Sequence, residues 1–425
     1  MDSHGEGPDG VRELAGIRRA YAARGYELVL PGEVAARGGA ERRRIAGQVV
    51  SLLVEVYRRA PGPDDERAAR ELDGAVAEGG VRLFVLLDRR RDVVATTRFT
   101  RLARWFTEGP REGPQEGPRE EGDAEGAGRG DVRYEVGRTG KRPGAEPRLA
   151  AGLLRARLLW AAAGGLPGAG LLVSHTRVAR SAPGRPPVGP VLEGLVRDGG
   201  FLPAHAVRSH VVARTAVEPF VAACAPRDGA AWAAGVRAQR LRLPDRAEAR
   251  LFAAMLAEGW GARPVLVPVA DGGAAGPAFR APLPGALREL SGPDPAVESL
   301  YLLSRRPADV GRAVDGIPYR VRADGAYASA GLSDRVVVEA DAAEAPDAVA
   351  VLERLRRAGF ALAGWEPSRQ RSGRLALVLT RPGRVPDGGT AVAAPDLSAL
   401  DRLPAAQRFL GGVLARLPEQ PDGRI

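Results

Sequence analysis

Cysteine, methionine, histidine and lysine are nearly missing from this chain of 425 residues. Cys224 is the only cysteine, so neither a disulfide within the chain nor a cysteine-based zinc site can form. Lys141 is the only lysine, and every other basic side chain is arginine. Aromatic residues make up 5% of a chain that is 44% hydrophobic, so its cores must be built mainly from alanine, leucine and valine. No apolar run reaches the roughly 20 residues needed to span a bilayer. The first residues have neither the basic start nor the apolar stretch of a secretion signal. These absences predict a cytoplasmic protein that makes no use of a membrane.

The formal net charge is +10. Nucleic-acid binding needs such charge gathered on one face, with aromatic rings on which bases stack. Here arginine is spread along the whole chain and interleaved with Asp and Glu. The pattern argues for a mixed solvated surface and against a nucleic-acid partner, which is kept as the weakest alternative.

The length allows two or three domains. Apolar residues at helical spacing predict helices over 11–24 and 40–59, the second with Ile45, Val49, Leu52, Leu53 and Val56 on one face. A charged helix over 64–78 is stopped by Gly79 and Gly80. Residues 81–87 and 93–99 predict a strand hairpin around a charged turn. Residues 108–131 differ in kind. They open with EGPR and EGPQ tetrads and stay rich in Gly, Pro and acid, so they cannot bury enough surface to offset ordering entropy. They are expected to be a disordered insertion within a loop.

The fold resumes with a strand over 132–138, a turn over 139–147 and a helix over 148–163, whose buried face is Leu149, Leu153, Leu154, Leu158 and Leu159. A strand over 170–178 carries His175; a Pro-rich loop (181–190), a short helix (191–198) and strands over 207–215 and 219–223 follow. This alternation predicts an α/β or α+β sheet domain over 11–227, after a flexible start of residues 1–10. Residues 228–395 predict a second α/β domain, with helices at 247–258 and 345–358 and strands at 264–269, 297–303, 335–340 and 374–380. Within it 271–284 is a Gly/Ala/Pro-rich loop, and 396–425 forms a helical tail. The segment VLEGLVRDGGF ending at Phe201 echoes VLERLRRAGF ending at Phe360. Both duplication and an ordinary glycine cap give such a pattern.

The segment 131–160, DVRYEVGRTGKRPGAEPRLAAGLLRARLLW, carries the most chemistry. An apolar strand, a basic Gly/Pro turn and an amphipathic helix follow one another. Unpaired N–H groups at a helix N-terminus, aided by the macrodipole, make a seat for a phosphate or pyrophosphate. The seat requires free amides near Pro143 and Ala145.

The element order as far as Phe201 and the loop KRPGAE, residues 141–146, resemble the GNAT-type acyltransferases that use acyl-coenzyme A. In that family a loop of pattern Gln/Arg-x-x-Gly-x-Gly/Ala binds the cofactor's pyrophosphate. Gly144 matches the central glycine, Lys141 stands where Gln or Arg is usual, and Glu146 replaces the last small residue. The resemblance covers about residues 10–225. It implies a GNAT-like mixed twisted sheet flanked by helices, and a second α/β unit of related, degenerate type without a pyrophosphate loop.

The resemblance further implies acetyl-CoA or another acyl-CoA as co-substrate, with Val136, Arg138, Lys141, Arg142, Gly144 and Ala145 holding it. Arg148 would join Arg138 and Arg142 in facing the phosphates, and Glu146 fits only if it points away. The acceptor would be the amine of a small molecule or peptide. Glu135 would be the general base and His175 a proton relay, each weighed against an ordinary surface role on a strand. His205 and His210 lack nearby cysteine or clustered carboxylates, so no metal site is expected. Cys224 lies in an apolar context that favours a buried small residue over a nucleophile. A non-catalytic scaffold of the same fold is the main alternative, and a homodimer is left open.

Overall fold

The computed structural model describes residues 8–56, 64–101, 132–146, 148–166, 168–178, 189–210, 216–269, 297–303, 312–314, 317–328, 333–338, 340–346, 348–357, 360–368, 373–382, 391–392 and 394–416. The insertion expected at 108–131, the loop at 271–284 and most of the loop at 181–190 lie outside the described residues. The chain divides into two units: Met1–Arg104 with Arg129–His175 and Pro190–Gly200, and Trp105–Gly128 with Thr176–Gly189 and Phe201–Ile425.

The first unit contains α1 (Pro8–Ala23), β1 (Glu27–Val29), α2 (Pro31–Ala36), α3 (Gly39–Val56), α4 (Asp64–Ala77), β2 (Val81–Leu87) and β3 (Val93–Arg101). Then come β4 (Val132–Lys141), α5 (Leu149–Trp160), β5 (Ala169–Arg177) and α6 (Gly189–Gly199). The strands lie in the order β1-β2-β3-β4-β5. Neighbours are antiparallel except β4 and β5, which run parallel.

Strand β2, VRLFVLL, is apolar on both faces because helices cover both. On one face Val81, Leu83, Val85 and Leu87 join Ile45, Val49 and Leu52 of α3 and Leu72 and Val76 of α4 in one buried cluster. On the other, Trp160 of α5 packs edge-on to Phe84 at 5.2 Å and stacks on Phe99 at 6.3 Å. Tyr21 of α1 then fixes α5, its hydroxyl donating to the Leu149 carbonyl at 2.7 Å.

The second unit contains β6 (Leu202–His210), β7 (Ala216–Pro226), α7 (Gly229–Ala238), β8 (Arg242–Pro244), α8 (Ala247–Trp260), β9 (Val265–Val267), β10 (Val297–Leu303), β11 (Arg312–Val314) and β12 (Ile317–Ala328). It continues with β13 (Ser333–Val338), α9 (Ala340–Ala343), α10 (Ala348–Arg357), β14 (Ala361–Pro367), β15 (Leu375–Pro382), β16 (Ala391–Val392) and α11 (Pro404–Ala415). Its strands follow the order β7-β6-β14-β15-β13-β10-β12-β11, with β16 on β7 and a separate parallel pair of β8 and β9. Each unit mixes helices and strands, and β6 and β7, which the sequence assigns to a domain over 11–227, fall in the second.

The echo between Phe201 and Phe360 extends into the fold. Each phenylalanine is buried and leads into a strand of a hairpin, β6–β7 or β14–β15. Each hairpin bulges after the second strand residue, skipping Ala204 in one and Ala363 in the other. The next residues, His205 and Gly364, pair with each other between β6 and β14.

Several boundaries differ from expectation. Strand β4 runs on to Lys141, so Thr139 and Gly140 are strand residues instead of turn. Helix α5 stops at Trp160 and opens into a wider turn, Ala161–Gly165. Leu158 is only half-buried, and Arg157 takes the buried place. Strand β6 begins at Leu202, which puts His205 and His210 on one strand. Among the described residues the helical tail expected over 396–425 is one short turn, Ser398–Leu400, followed by α11.

Candidate functional site

Strand β4 parts company with one of its neighbours midway. Its parallel pairing with β5 runs from Val132↔Ala169 to Glu135↔Val173 and stops there. Its antiparallel pairing with β3 continues to Lys141, opposite Ala95. From Val136 onwards the edge of β4 that had faced β5 has no paired strand among the described residues, so its peptide groups call for partners such as water or a ligand.

The parting coincides with a bulge. Gly137 pairs with Arg98 and Gly140 with Thr96, so Arg138 and Thr139 together oppose Thr97. Such a bulge bends the strand that carries it. Gly140 also lets α3 come close, since a Cβ there would lie 3.1 Å from Leu52 Cδ2.

The open edge leads into the glycine turn at the start of α5. The Arg142 amide still bonds to the Val94 carbonyl at 2.8 Å. Gly144 then takes a left-handed conformation, φ 80°, and is exposed. The Ala145 amide is committed to the Arg142 carbonyl at 3.1 Å, and Lys141 Nζ donates to the Ala145 carbonyl at 2.8 Å. The expectation of a free amide at Ala145 is therefore corrected: a tight turn needs that bond to close. Among the described residues the amides of Gly144 and Glu146 have no acceptor.

Glu146 is turned away from the turn. Its carboxylate pairs with Arg24, just past α1, and accepts from the Tyr26 hydroxyl at 3.5 Å. Arg142 and Arg148 have no acidic partner among the described residues. The turn therefore presents uncompensated positive charge together with the α5 dipole. Arg138 lies on β4 within the bulge, and its side chain is outside the described residues.

Glu135 holds the last position of β4 paired with β5, and Val136, its buried neighbour, is the first beyond it. His175 lies two residues past Val173, so register puts it on the same sheet face as Glu135. Through Thr100 and Val81 this is the face that α3 and α4 cover. Both side chains are half-buried. Among the described residues there is no cluster of metal ligands, and Cys224 is buried on β7.

The solved structures that match 48% of this chain are acetyltransferases. One is a putative GNAT acetyltransferase from Desulfovibrio desulfuricans, 13% identical, covering 48% of this chain and 99% of that one at a TM-score of 0.30. A ribosomal-protein-S5-alanine acetyltransferase from Vibrio fischeri is 11% identical, covering 48% and 94% at 0.30. A spermidine N-acetyltransferase variant from Vibrio cholerae is 10% identical, covering 48% and 95% at 0.31. No family profile and no curated protein sequence matches the chain.

Sequence reasoning passed over the residues that brace this site. Tyr21, Arg24 and Tyr26 reach the start of α5 from far earlier in the chain, and nothing local marks them. Burial raises the Tyr21 phenol to about 12, partly offset by nearby Arg24, so it stays a hydrogen-bond donor. Arg157 did carry a signal, because it stands on the apolar stripe of α5, four residues after Leu153.

Proposed function

We propose that the first unit binds an acyl-coenzyme A and passes its acyl group directly to an amine. The observation that carries this reading is the open edge of β4, which ends in a positively charged glycine turn at a helix N-terminus. The Gly144 and Glu146 amides, with Lys141, Arg142 and Arg148, take the pyrophosphate. The pantetheine arm lies along Val136–Lys141, where peptide groups can bond to it as a neighbouring strand would. A backbone N–H there polarises the thioester carbonyl. Glu135 removes the proton from the amine as its nitrogen attacks the carbonyl carbon, with His175 on the same sheet face to relay that proton. The C–S bond then breaks, and the thiolate leaves and takes a proton from water, while Glu135 gives up to solvent the proton it removed. Acetyl-CoA is the first co-substrate to try, and the acceptor is the amine of a small molecule or peptide.

A second reading has one observation in its favour. The Ala145 amide and Lys141 Nζ are satisfied inside the turn, as in a scaffold that has lost its cofactor. A thermal-shift titration with acetyl-CoA separates the two. A ligand at 100 times its Kd adds about 2.7 kcal/mol to the stability of a folded protein. The transferase reading expects a rise in melting temperature that saturates, whereas no shift at millimolar acetyl-CoA leaves the scaffold reading.

A further inference from the structure

Arg157 has 1% of its surface exposed and stands on the sheet-facing side of α5. No carboxylate pairs with it among the described residues. Its Nη1 donates to Thr97 Oγ1 of β3 and, at 3.3 Å, to Thr139 Oγ1 of β4. Those two hydroxyls are 2.8 Å apart. The guanidinium also lies 5.6 Å from the centre of the Phe99 ring, and its Nε has no partner. A buried cation without a counter-ion is a costly way to fill a core, where an apolar side chain of similar size is often neutral or stabilising. Its contacts converge on one feature. Thr97 is the β3 residue opposite the two-residue bulge Arg138–Thr139, and that bulge lies where β4 has left β5.

We propose that Arg157 is a positioning residue of the acyl-CoA cleft: from α5 it grips Thr97 and Thr139, pins the bulge of β4, and so fixes the open edge along which the thioester arm lies. This rests on the transferase reading of the first unit. One side chain ties together β3, the opened part of β4, and the helix whose other end carries the anion-binding turn. The turn and the open edge therefore keep one spacing, which a cofactor touching both requires. A charged donor holds a hydroxyl more strongly than a neutral one, and Nη1 alone meets both oxygens. Burial pulls its pKa down to about 9, which leaves it protonated and donating at neutral pH.

The test compares the whole protein with Arg157→Met, Arg157→Lys and Thr139→Val. Acetyl-CoA affinity is read by calorimetry, stability by melting temperature, and the bulge by hydrogen exchange of the β4 amides. The expected result for Arg157→Met is at least tenfold weaker acetyl-CoA binding, faster exchange over residues 136–141, and an unchanged or higher melting temperature. Arg157→Lys recovers part of the affinity, and adding Thr139→Val to Arg157→Met causes little further loss. Wild-type affinity in Arg157→Met overturns the inference while leaving the transferase reading intact. Lost affinity together with a lower melting temperature marks a merely structural arginine and overturns it too. If the wild-type protein binds no acyl-CoA at all, the transferase reading itself falls and takes this role with it.

Discussion

Gly144 has a left-handed backbone, φ 80°, and nothing lies within 4 Å of the place a Cβ would occupy. A side chain there meets backbone strain of about 1 kcal/mol and no clash. Gly144→Glu would bring a carboxylate to the open amides, so acetyl-CoA binding should fall beyond detection while the urea midpoint shifts by only that strain. Gly144→Ala separates the two effects, because it carries the strain without the charge and should keep most of the affinity. Glu146 gives the opposite prediction. It is exposed and paired with Arg24, so the pair contributes at most about 1 kcal/mol to stability. Glu146→Gln removes a negative charge beside the turn and releases Arg24. Acetyl-CoA should then bind about threefold to tenfold tighter, with a steeper dependence on salt; unchanged affinity in calorimetry would place the phosphates elsewhere. Gly144 was legible in the sequence because a glycine turn is a local signal. The Arg24–Glu146 pair was not, since its partners are far apart in the chain and meet only when α1 docks on α5.

Helix α5 owes its place to α1, and this contact has its own pH dependence. Tyr21 is buried against Gly152, where a Cβ would lie 2.4 Å from its hydroxyl, and it donates to the Leu149 carbonyl. Its folded-state pKa of about 12 lies above the roughly 10 of an unfolded tyrosine. A raised phenol pKa means that the neutral form contributes its stability fully below about pH 10. That contribution is lost as pH rises through about 12. Between those limits the wild-type melting temperature should fall more steeply than that of Tyr21→Phe. At neutral pH the variant should be less stable by about 1 kcal/mol for the lost hydrogen bond. Parallel melting curves would refute the assignment. The elements themselves were well signalled: α3 and α4 show their helical period in the sequence, and β2 shows as a short apolar run. The end of β4 was hidden because Gly140 reads as a turn residue, whereas it meets the approach of α3. Arg157 was hidden by the ordinary assumption that a buried stripe is apolar.

At the scale of the whole molecule, the strand order of the second unit was the least legible, because pairing between distant strands leaves no local period. The parting of β4 from β5 leaves no pattern in residues 132–141. One long-range contact does have a sequence trace, the echo that ends at Phe201 and Phe360. It leads to Gly364, where β14 meets β6. Gly364 has φ 145°, and a Cβ there would lie 2.1 Å from the Ala204 carbonyl oxygen and 2.6 Å from His205 Cα. Both near atoms are backbone, so neither can turn aside as a flexible side chain could. Two buried bonds hold the same crossing: Trp365 Nε1 donates to the Pro203 carbonyl at 3.1 Å, and His205 Nδ1 donates to the Trp365 carbonyl at 3.2 Å. Gly364→Ala must push the strands apart, strain φ and stretch both bonds. The expected loss is about 3 kcal/mol of stability in the second unit, from overpacking and backbone strain together. Urea unfolding followed by the fluorescence of Trp260 and Trp365, 5.5 Å apart in that core, reads it directly. Acetyl-CoA affinity should stay within about twofold, since the proposed cofactor contacts all belong to the first unit. A midpoint within about 0.5 kcal/mol of wild type, the usual range of a harmless surface change, would mean that β6 and β14 do not touch at this residue.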